Sequence, residues 1–440
     1  MNETNLSLIG FLFTGCMCLG LVWVPRRMAF APVALIGCYI TMGQMVHVAG
    51  LHFYIMRIVV LAGWLRLLIW GELSPPIRIN GIDKVLLVWV LSSIVTHTLM
   101  RGTWDAFVNR LGLAYNGIGM YFLFRFLIRD TKEISRTLKT LAVLIVPLSL
   151  LMMMEASTGR NLFSVFGGVT EISAFREGNF RAQGPFAHPI MAGTFGATLV
   201  PLLIALWFEE GAKSIAAVGV AAATMIMIMS HSSGPLIAFT FGLLSMFLWS
   251  ARGHMQIIRW AGFFTLLGLH LIMKAPVWAL IGRLSEVVGG EGWHRVMLID
   301  QAIAHLNEWW LIGTAYTLHW LPFSAEIDPG MADITNQYVW EGVNGGLITL
   351  LLFLLMIGLC FRAVGRTLQD AENRPFEVRI LIWSLGASLV SHLMSFFSVS
   401  YFDQMVMFWY FLLASISSAS ESMENNPHNA EALGNAFVTP

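Results

Sequence analysis

Three arginines lie in the polar segments that separate long apolar stretches of the chain: Arg176, Arg181 and Arg295. A guanidinium group forms forked hydrogen bonds to phosphate oxygens and stays charged at any working pH. No Asp-rich motif of the kind that holds a metal ion among phosphates accompanies these arginines. The pattern predicts a site for a phosphate-bearing ligand with no metal and no cofactor. The alternative for each arginine is an ordinary solvated loop charge.

An enzyme that transfers a group from a phosphate-bearing ligand to a hydroxyl also needs a group that accepts the hydroxyl proton. His, Asp or Glu can accept it when the side chain lies within hydrogen-bond reach. The polar segments offer several such side chains: His188, His294, His305, His319, Asp333 and Glu341. Asp333 and His294 are the preferred catalytic residues because each stands beside a motif residue described below. The alternative is that a single loop histidine has no catalytic role.

Five basic residues fall inside apolar segments: Arg57, Arg66, Arg110, Arg125 and Lys274. A charge in hydrocarbon costs a few kcal/mol or more, so each needs an explanation. Arg57, Arg110 and Lys274 lie toward the same side of three predicted helices, and we expect them to converge on one cavity that holds an anion. The alternative is that these side chains reach the headgroups, which we favour for Arg125 because it borders a basic loop.

The elements that position these residues are predicted to be membrane helices. The chain has 440 residues, of which 57% are hydrophobic and 12% charged, with a mean hydropathy of +0.70. A helix of about 20 apolar residues crosses a bilayer because all its backbone groups are paired internally. The fold class is therefore an all-α polytopic membrane protein of about 12–13 helices. The predicted spans are 6–24, 28–46, 53–70, 83–100, 106–128, 134–154, 188–208, 214–230, 234–250, 257–281, 343–361, 380–398 and 402–418.

The basic residues between the spans predict the orientation, because short cytoplasmic loops retain positive charge. Most of the 26 Lys and Arg residues fall in one alternating set of loops, which includes residues 129–139 and 362–379. The other set includes the two longest loops, 155–187 and 282–342, which we expect to face outward.

Six segments follow from this topology. Residues 1–154 form N-terminal spans, 155–187 an outward loop with the arginine motif, and 188–281 central spans. Residues 282–342 form the large outward loop, whose apolar stretch 296–312 is expected to cap the membrane domain. Residues 343–418 form C-terminal spans, and the polar residues 419–440 are expected to be a flexible cytoplasmic tail.

Composition excludes several function classes. The formal net charge is zero, which excludes a strongly basic nucleic-acid binder. The four cysteines, which all fall inside predicted spans, are expected to be buried apolar groups without disulfides. They are Cys16, Cys18, Cys38 and Cys360.

An ordered set of short motifs resembles the O-antigen ligase/polymerase superfamily. In that family an Arg, a Gly, an aromatic residue and an Asn-Pro or His-Pro pair precede an outward helix start; the matching residues here are Arg181, Gly184, Phe186, His188 and Pro189. The large loop opens with Gly292-Trp293-His294-Arg295 and closes with Asp333-Ile334-Thr335-Asn336-Gln337-Tyr338 and Gly345-Gly346-Leu347. The resemblance covers roughly residues 175–415. His188-Pro189 has the alternative reading of a plain helix cap.

The chain departs from the family at three places. Thr335-Asn336 stands where the family often has His-Asn, and Trp309-Trp310-Leu311-Ile312-Gly313 stands where it has a Pro-containing turn. Ser230-His231-Ser232-Ser233-Gly234-Pro235 stands where the family tends to have Ser-Arg-Gly, and without the Arg we expect only a tight turn. The usual candidate base is therefore missing.

The resemblance implies a membrane glycosyltransferase that takes an undecaprenyl-diphosphate-linked oligosaccharide as donor. It assigns substrate binding to a set of residues that matches the motifs: Arg176, Arg181, His188, Arg295, Asn336 and Tyr338. Besides the lipid bilayer, a polysaccharide chain-length regulator or export machinery is an expected partner. The acceptor remains open between another lipid-linked repeat (polymerase), the core of lipopolysaccharide (ligase) and a protein hydroxyl. A flippase of lipid-linked sugars and a non-catalytic subunit of an exopolysaccharide assembly also remain open. The location that the resemblance implies is the inner membrane of a bacterium.

Overall fold

A computed structural model describes residues 4–48, 51–287, 292–321, 324–328 and 330–424. The helices in this part of the chain are α1 (Leu8–Trp23), α2 (Phe30–Tyr39), α3 (Ile55–Ile69), α4 (Gly81–Arg101), α5 (Trp104–Leu127), α6 (Thr131–Thr158), α7 (Pro189–Leu206), α8 (Lys213–Met229), α9 (Ser233–Phe247), α10 (Met255–Ile272), α11 (Ala279–Val287), α12 (Gly292–Ala304), α13 (Leu306–Trp309), α14 (Gln337–Asp370), α15 (Phe376–Phe396) and α16 (Gln404–Glu424). The strands are β1 (Thr4–Asn5), β2 (Gln44–Val48), β3 (Leu51–Tyr54), β4 (Ala174–Arg176), β5 (Asn179–Arg181), β6 (Glu326–Asp328) and β7 (Met331–Ala332).

The protein is an all-α multi-pass membrane protein with three small sheets, which have the orders β1-β2-β3, β4-β5 and β6-β7. In the described chain, 6 helical segments are long and apolar enough to cross a bilayer. They are Gly81–Arg101, Thr131–Thr158, Pro189–Leu206, Ser233–Ile272, Gln337–Asp370 and Phe376–Phe396. A 3-10 turn at Leu248–His254 divides the segment Ser233–Ile272 into α9 and α10.

Each predicted span coincides with one of the helices α1–α10 and α14–α16. Two predicted spans were too long. The span 28–46 ends as a helix at Tyr39, because the chain turns into the hairpin β2–β3. The span 257–281 ends at Ile272, followed by extended backbone at Met273 and by Pro276, which lacks the N–H that a helix needs.

The predicted membrane helices alternate in direction along the chain, so their ends form two layers. In the first layer, which we call the basic end, Arg129 donates to the carbonyl of Glu72 at 2.6 Å. Lys139 and Glu209 form an ion pair there at 2.5 Å. These contacts join the ends of α3, α5, α6 and α7, and most of the loops predicted to be cytoplasmic from their charge begin here.

The opposite layer, which we call the loop end, holds both long predicted loops. Gln404, at the start of α16, donates from Nε2 to the carbonyls of Ile40 at 2.9 Å and Pro185 at 3.0 Å. One buried side chain therefore ties together the end of α2, the segment before α7 and the beginning of α16.

Arg125 does not reach the headgroups, and the interpretation favoured from the sequence was wrong. Its side chain is 1% exposed and lies 3.3 Å from Asp83, which is 0% exposed, and 3.0 Å from Glu421. Arg66 is also buried, with Glu72 at 2.7 Å. Both arginines have carboxylate partners on neighbouring segments, and these partners satisfy the charge without contact with lipid headgroups.

The large loop at this end has its own small core, which packs on the first turns of α14. Its buried members include Leu298, Trp309, Trp320 and Met331. The predicted capping stretch 296–312 forms most of α12 and α13, and Trp309 lies over Gly342 of α14. Because α14 begins at Gln337, the predicted loop end at 342 was too late.

Helix α14 is interrupted at Gly346, where φ is 74°. Backbone groups freed by this break bond to the Trp309–Gly313 segment: the N–H of Leu347 donates to Trp310 and the N–H of Thr314 donates to Val343, both at 2.8 Å. Irregular backbone at this depth is stable when neighbouring protein satisfies it.

Two further sequence expectations need adjustment. All four cysteines are free thiols, but only Cys38 and Cys360 are buried; Cys16 is exposed and Cys18 is half-buried. Helix α16 continues to Glu424, so residues 419–424 of the expected flexible tail are helical. Residues 425–440 lie outside the described residues.

Candidate functional site

The hairpin β4–β5 presents two of the predicted arginines on one face. Its two-residue turn is Glu177-Gly178, with φ of 52° and 80°, the type of turn that matches the twist of paired strands. In the register Ala174 lies opposite Arg181, and Arg176 lies opposite Asn179. Directly paired residues share a face, and so do residues two apart on one strand. Arg181 therefore projects to the same face as Ala174 and Arg176.

Glu155, at the end of α6, fixes the segment that follows the hairpin. Its carboxylate accepts hydrogen bonds from the hydroxyl of Ser173 at 2.7 Å and from the backbone N–H groups of Gln183 at 3.0 Å and Gly184 at 2.8 Å. Gly184 has a φ of 57°, a conformation that glycine adopts without strain. This buried carboxylate therefore positions Arg181, a role that the sequence analysis missed.

Arg295 comes from α12 in the other loop and meets the same place. Its guanidinium donates to the hydroxyls of Ser285 at 2.6 Å and Ser233 at 3.2 Å. Arg181 donates to the hydroxyl of Ser232 at 2.7 Å. Both arginines are 9% exposed, and among the described residues no carboxylate lies within ion-pair distance of either.

These side chains border a cavity of about 410 Å³, which we call the arginine pocket. Its lining brings together residues that are distant in sequence and includes Arg176, Arg181, His231, Ser232, His294, Arg295 and Thr335. Glu177 lies at the exposed rim, where it pairs with Arg176 at 3.3 Å. The structure thus brings the three predicted arginines into one concave site.

The pocket is short of negative charge. Burial and the neighbouring charge of Arg176 lower the pKa of Arg295 to about 10. Burial and the same neighbour lower the pKa of Arg181, although Glu177 partly opposes the change. Both groups remain charged near neutral pH, and a bound anion would relieve the repulsion that each experiences from Arg176.

The turn Ser230–Pro235 contributes to the pocket, so the prediction of a tight turn alone was wrong. Ser232 and Ser233 are the hydroxyl partners of Arg181 and Arg295. His231 lines the pocket with a φ of 43°, an uncommon conformation for a residue other than glycine. The feature of the sequence that could have indicated this role is the position of the turn Ser230–Pro235 at the family's Ser-Arg-Gly element.

The two predicted catalytic residues differ in position. His294 lines the arginine pocket, whereas Asp333 does not. Burial raises the pKa of Asp333, and the nearby His294 partly opposes this change. Thr335, at the family's histidine position, does line the pocket. The geometry therefore favours His294 as the group that reaches a ligand, with Asp333 behind it.

Three predicted substrate-binding residues have structural roles in the described contacts. His188 caps α7, since its Nδ1 accepts from the N–H of Ile190 at 3.1 Å, and burial and Arg181 lower its pKa to about 4. Asn336 caps α14 through the N–H groups of Tyr338 and Val339. Tyr338 donates to the carbonyl of Leu393 at 3.1 Å. None of the three lines the arginine pocket.

Arg57 and Arg110 border a second space of about 710 Å³, which we call the central cavity. Arg110 donates to Asn344 at 2.8 Å and lies 2.9 Å from Nδ1 of His97. Lys274 is exposed just beyond α10 and does not line this cavity, so its predicted convergence with the two arginines was wrong.

The central cavity combines aromatic rings with polar groups. Trp89, Trp340 and Trp409 lie in its wall together with Glu341, Asn344, Asn116 and Asp403. Glu341 accepts from Gln337 at 2.7 Å and from Trp89 at 3.1 Å. Buried oxygens of Asn116 and Asp403 have no hydrogen-bond partner among the described residues.

Two short segments, residues 335–337 and 398–401, contribute side chains to both cavities. Thr335 and Ser398 line the arginine pocket, whereas Gln337 and Tyr401 line the central cavity. The backbone N–H of Tyr401 donates to the Gln337 side chain at 2.6 Å, which joins the segments. A ligand longer than one cavity would therefore find a polar site on each side of this joint.

Comparison with known proteins adds no assignment: no family model matches this chain, and no curated protein sequence matches it.

Proposed function

We propose that this protein is a membrane glycosyltransferase of the O-antigen ligase/polymerase type that takes a polyprenyl-diphosphate-linked glycan as donor. The observation that carries the proposal is the arginine pocket, in which Arg181 and Arg295 are buried with hydroxyl partners and have no carboxylate within ion-pair distance among the described residues. A diphosphate supplies the missing negative charge and the oxygen geometry that guanidinium groups bind.

The reaction in this proposal transfers the sugar from the diphosphate to an acceptor hydroxyl. The acceptor oxygen bonds to C1 of the sugar while the C1–O bond to the diphosphate breaks, and the departing oxygen keeps the electron pair. Arg181 and Arg295 stabilise that negative charge. The acceptor proton passes to His294, which lines the same pocket.

The central cavity supports a saccharide site beside the diphosphate site. Its aromatic walls offer apolar faces, and its polar side chains, including Glu341 and Asn344, offer hydrogen bonds that fix orientation. The carboxylates Glu341 and Asp403 line this cavity, whereas the only carboxylate among the described lining residues of the arginine pocket is Glu177, which is exposed and paired with Arg176. This division suits a ligand with a strongly anionic portion and a neutral, hydroxyl-rich portion.

In the proposed topology the helices α1–α10 and α14–α16 cross a bacterial inner membrane, with the loop end in the periplasm. In a variant without native cysteines, a cysteine at Ala304 is expected to react with an impermeant maleimide added outside spheroplasts. A cysteine at Glu372 is expected to react only after lysis, because its loop is basic. The opposite labelling pattern would refute the orientation.

We expect His294→Gln to lower glycan transfer by about 10²-fold or more, the usual scale of general-base catalysis. Asp333→Asn is expected to lower the transfer rate less, because Asp333 does not line the pocket and affects the reaction only through its neighbour His294. The measurement is a pH–rate profile of each variant beside the parent. If both variants keep the parent's rate and profile, neither residue accepts the proton.

Purified protein in liposomes with a defined lipid-linked oligosaccharide tests the proposed function. Elongated or transferred glycan supports it, and the acceptor used distinguishes polymerase from ligase. The interrupted helix α14 beside the central cavity favours a second candidate, a flippase, because broken helices are common at transport sites. Movement of the lipid across the bilayer without transfer would favour that candidate, and neither activity would favour a non-catalytic subunit.

A further inference from the structure

A cluster of His305, Glu308 and His319 lies at the loop end, outside the linings of both cavities. Each residue offers one ligand atom, and these atoms all lie within 4.8 Å of one another. The residues come from three places in the chain: the end of α12, the short helix α13 and the following loop. Only modest side-chain movement would place all three around one ion.

The hydrogen bonds of His305 leave one ring nitrogen available. Its Nδ1 lies 2.9 Å from the carbonyl of Gln301, an acceptor, so Nδ1 carries the hydrogen. Nε2 then has a free electron pair. Metal-binding histidines usually have this arrangement, since a bond from the other N–H to a carbonyl orients the ring. The ring also stacks on Trp320, with centroids 5.1 Å apart.

Glu308 is oriented in a similar way. The indole N–H of Trp320 donates to its Oε2 at 3.0 Å. The Nε2 of His319 lies 3.1 Å from the same carboxylate oxygen and 3.3 Å from Oε1, a direct contact that a bound cation would replace. Two of the three side chains thus have a partner that fixes their direction before any ion binds.

We propose that His305, Glu308 and His319 bind a transition-metal cation of the Zn²⁺ class, with water in the remaining position. Two imidazoles and one carboxylate suit Zn²⁺, whereas Mg²⁺ and Ca²⁺ prefer oxygen ligands alone. The proposal does not depend on the proposed transferase activity. It also leaves the arginine pocket free of metal, because none of the three residues lines it.

The ion would stabilise one wall of the arginine pocket. It links the end of α12, which carries Arg295, to the loop of His319. Two residues before His319, Thr317 bonds to Gly330 at 2.9 Å through its N–H, and its hydroxyl accepts from the N–H of Ala332 at 3.0 Å. These contacts hold Gly330 and Ala332, which precede the pocket residue Thr335 along the chain, so the metal would hold the two halves of the loop together.

The test is Zn²⁺ binding by the purified full chain in detergent after removal of metals with a chelator. We expect one equivalent to bind and to raise the thermal midpoint, because a ligand of the folded state stabilises it. His305→Gln and His319→Gln are each expected to weaken binding by about 10²-fold or more, since each removes a ligand. Co²⁺ substitution provides a tetrahedral absorption spectrum as a second readout.

His254→Gln, an exposed histidine at the basic end, is the matched control and is expected to bind Zn²⁺ like the parent. Glu308→Gln keeps the side-chain volume while losing the charge. It provides the test of the site if a histidine variant fails to fold. Absence of stoichiometric binding in the parent would overturn the proposal. So would equal affinity of the parent and a folded variant of any of the three residues.

Discussion

Arg181→Ala and Arg295→Ala are each expected to lower glycan transfer by about 10²–10³-fold, the usual cost of removing one donor that stabilises developing negative charge. Both side chains are buried and bond to hydroxyls, which leaves their charge available to a ligand. Lysine replacements are expected to restore little activity, because a compact ammonium cannot form the forked contact. The measurement is the initial rate with a lipid-linked oligosaccharide, together with the binding of inorganic diphosphate.

Arg283→Ala is the matched control, because Arg283 is an exposed arginine of the same loop that does not line the pocket. It is expected to keep the parent's rate. Ser232→Ala and Ser233→Ala should show smaller losses than the arginine variants, since they only orient the guanidinium groups. Parental rates in folded Arg181→Ala and Arg295→Ala variants would remove the diphosphate role from both residues.

Arg125→Met is expected to destabilise the protein by about 3–5 kcal/mol, the usual cost of leaving one member of a buried ion pair without its partner. Asp83, which is 0% exposed, would lose the guanidinium at 3.3 Å, and its other partners among the described residues are neutral, such as the hydroxyl of Tyr121 at 2.5 Å. The measurement is the thermal midpoint of the purified protein in detergent.

The double variant Asp83→Asn, Arg125→Met is expected to recover part of this loss, because the fully buried carboxylate is then neutral and only the partly exposed Glu421 still lacks its partner. Arg362→Met, on the exposed part of α14, is the control and should change the midpoint little. A midpoint for Arg125→Met equal to that of the parent would show that the ion pair contributes no net stability.

Much of the membrane fold was predictable from apolar runs and charge. Each predicted span coincides with a helix, because a segment in lipid must satisfy its own backbone and so must be apolar and helical over its length. Errors came where a polar turn or a proline ended a helix early, as at Tyr39 and Ile272. Those ends depend on local bonding that hydropathy does not describe.

The functional residues were only partly predictable. The motif arginines Arg176, Arg181 and Arg295 do meet in one pocket, but Asn336 and Tyr338, which belong to the same motifs, serve as a cap and a packing residue. A motif indicates that a residue matters to the structure or the chemistry of a site. It does not tell which of the two applies, because that depends on where the side chain points.

The sequence by itself determined the membrane class, the alternation of basic and long loops, and the arginine-rich character of the loop end, since these follow from composition and order along the chain. Only the tertiary structure decided which charges are paired. It gave Arg125 and Arg66 buried carboxylate partners, gave Arg181 and Arg295 hydroxyls, and separated Lys274 from Arg57 and Arg110. The physical reason is that the cost of a buried charge depends on neighbours that are distant in sequence, and only folding brings these together.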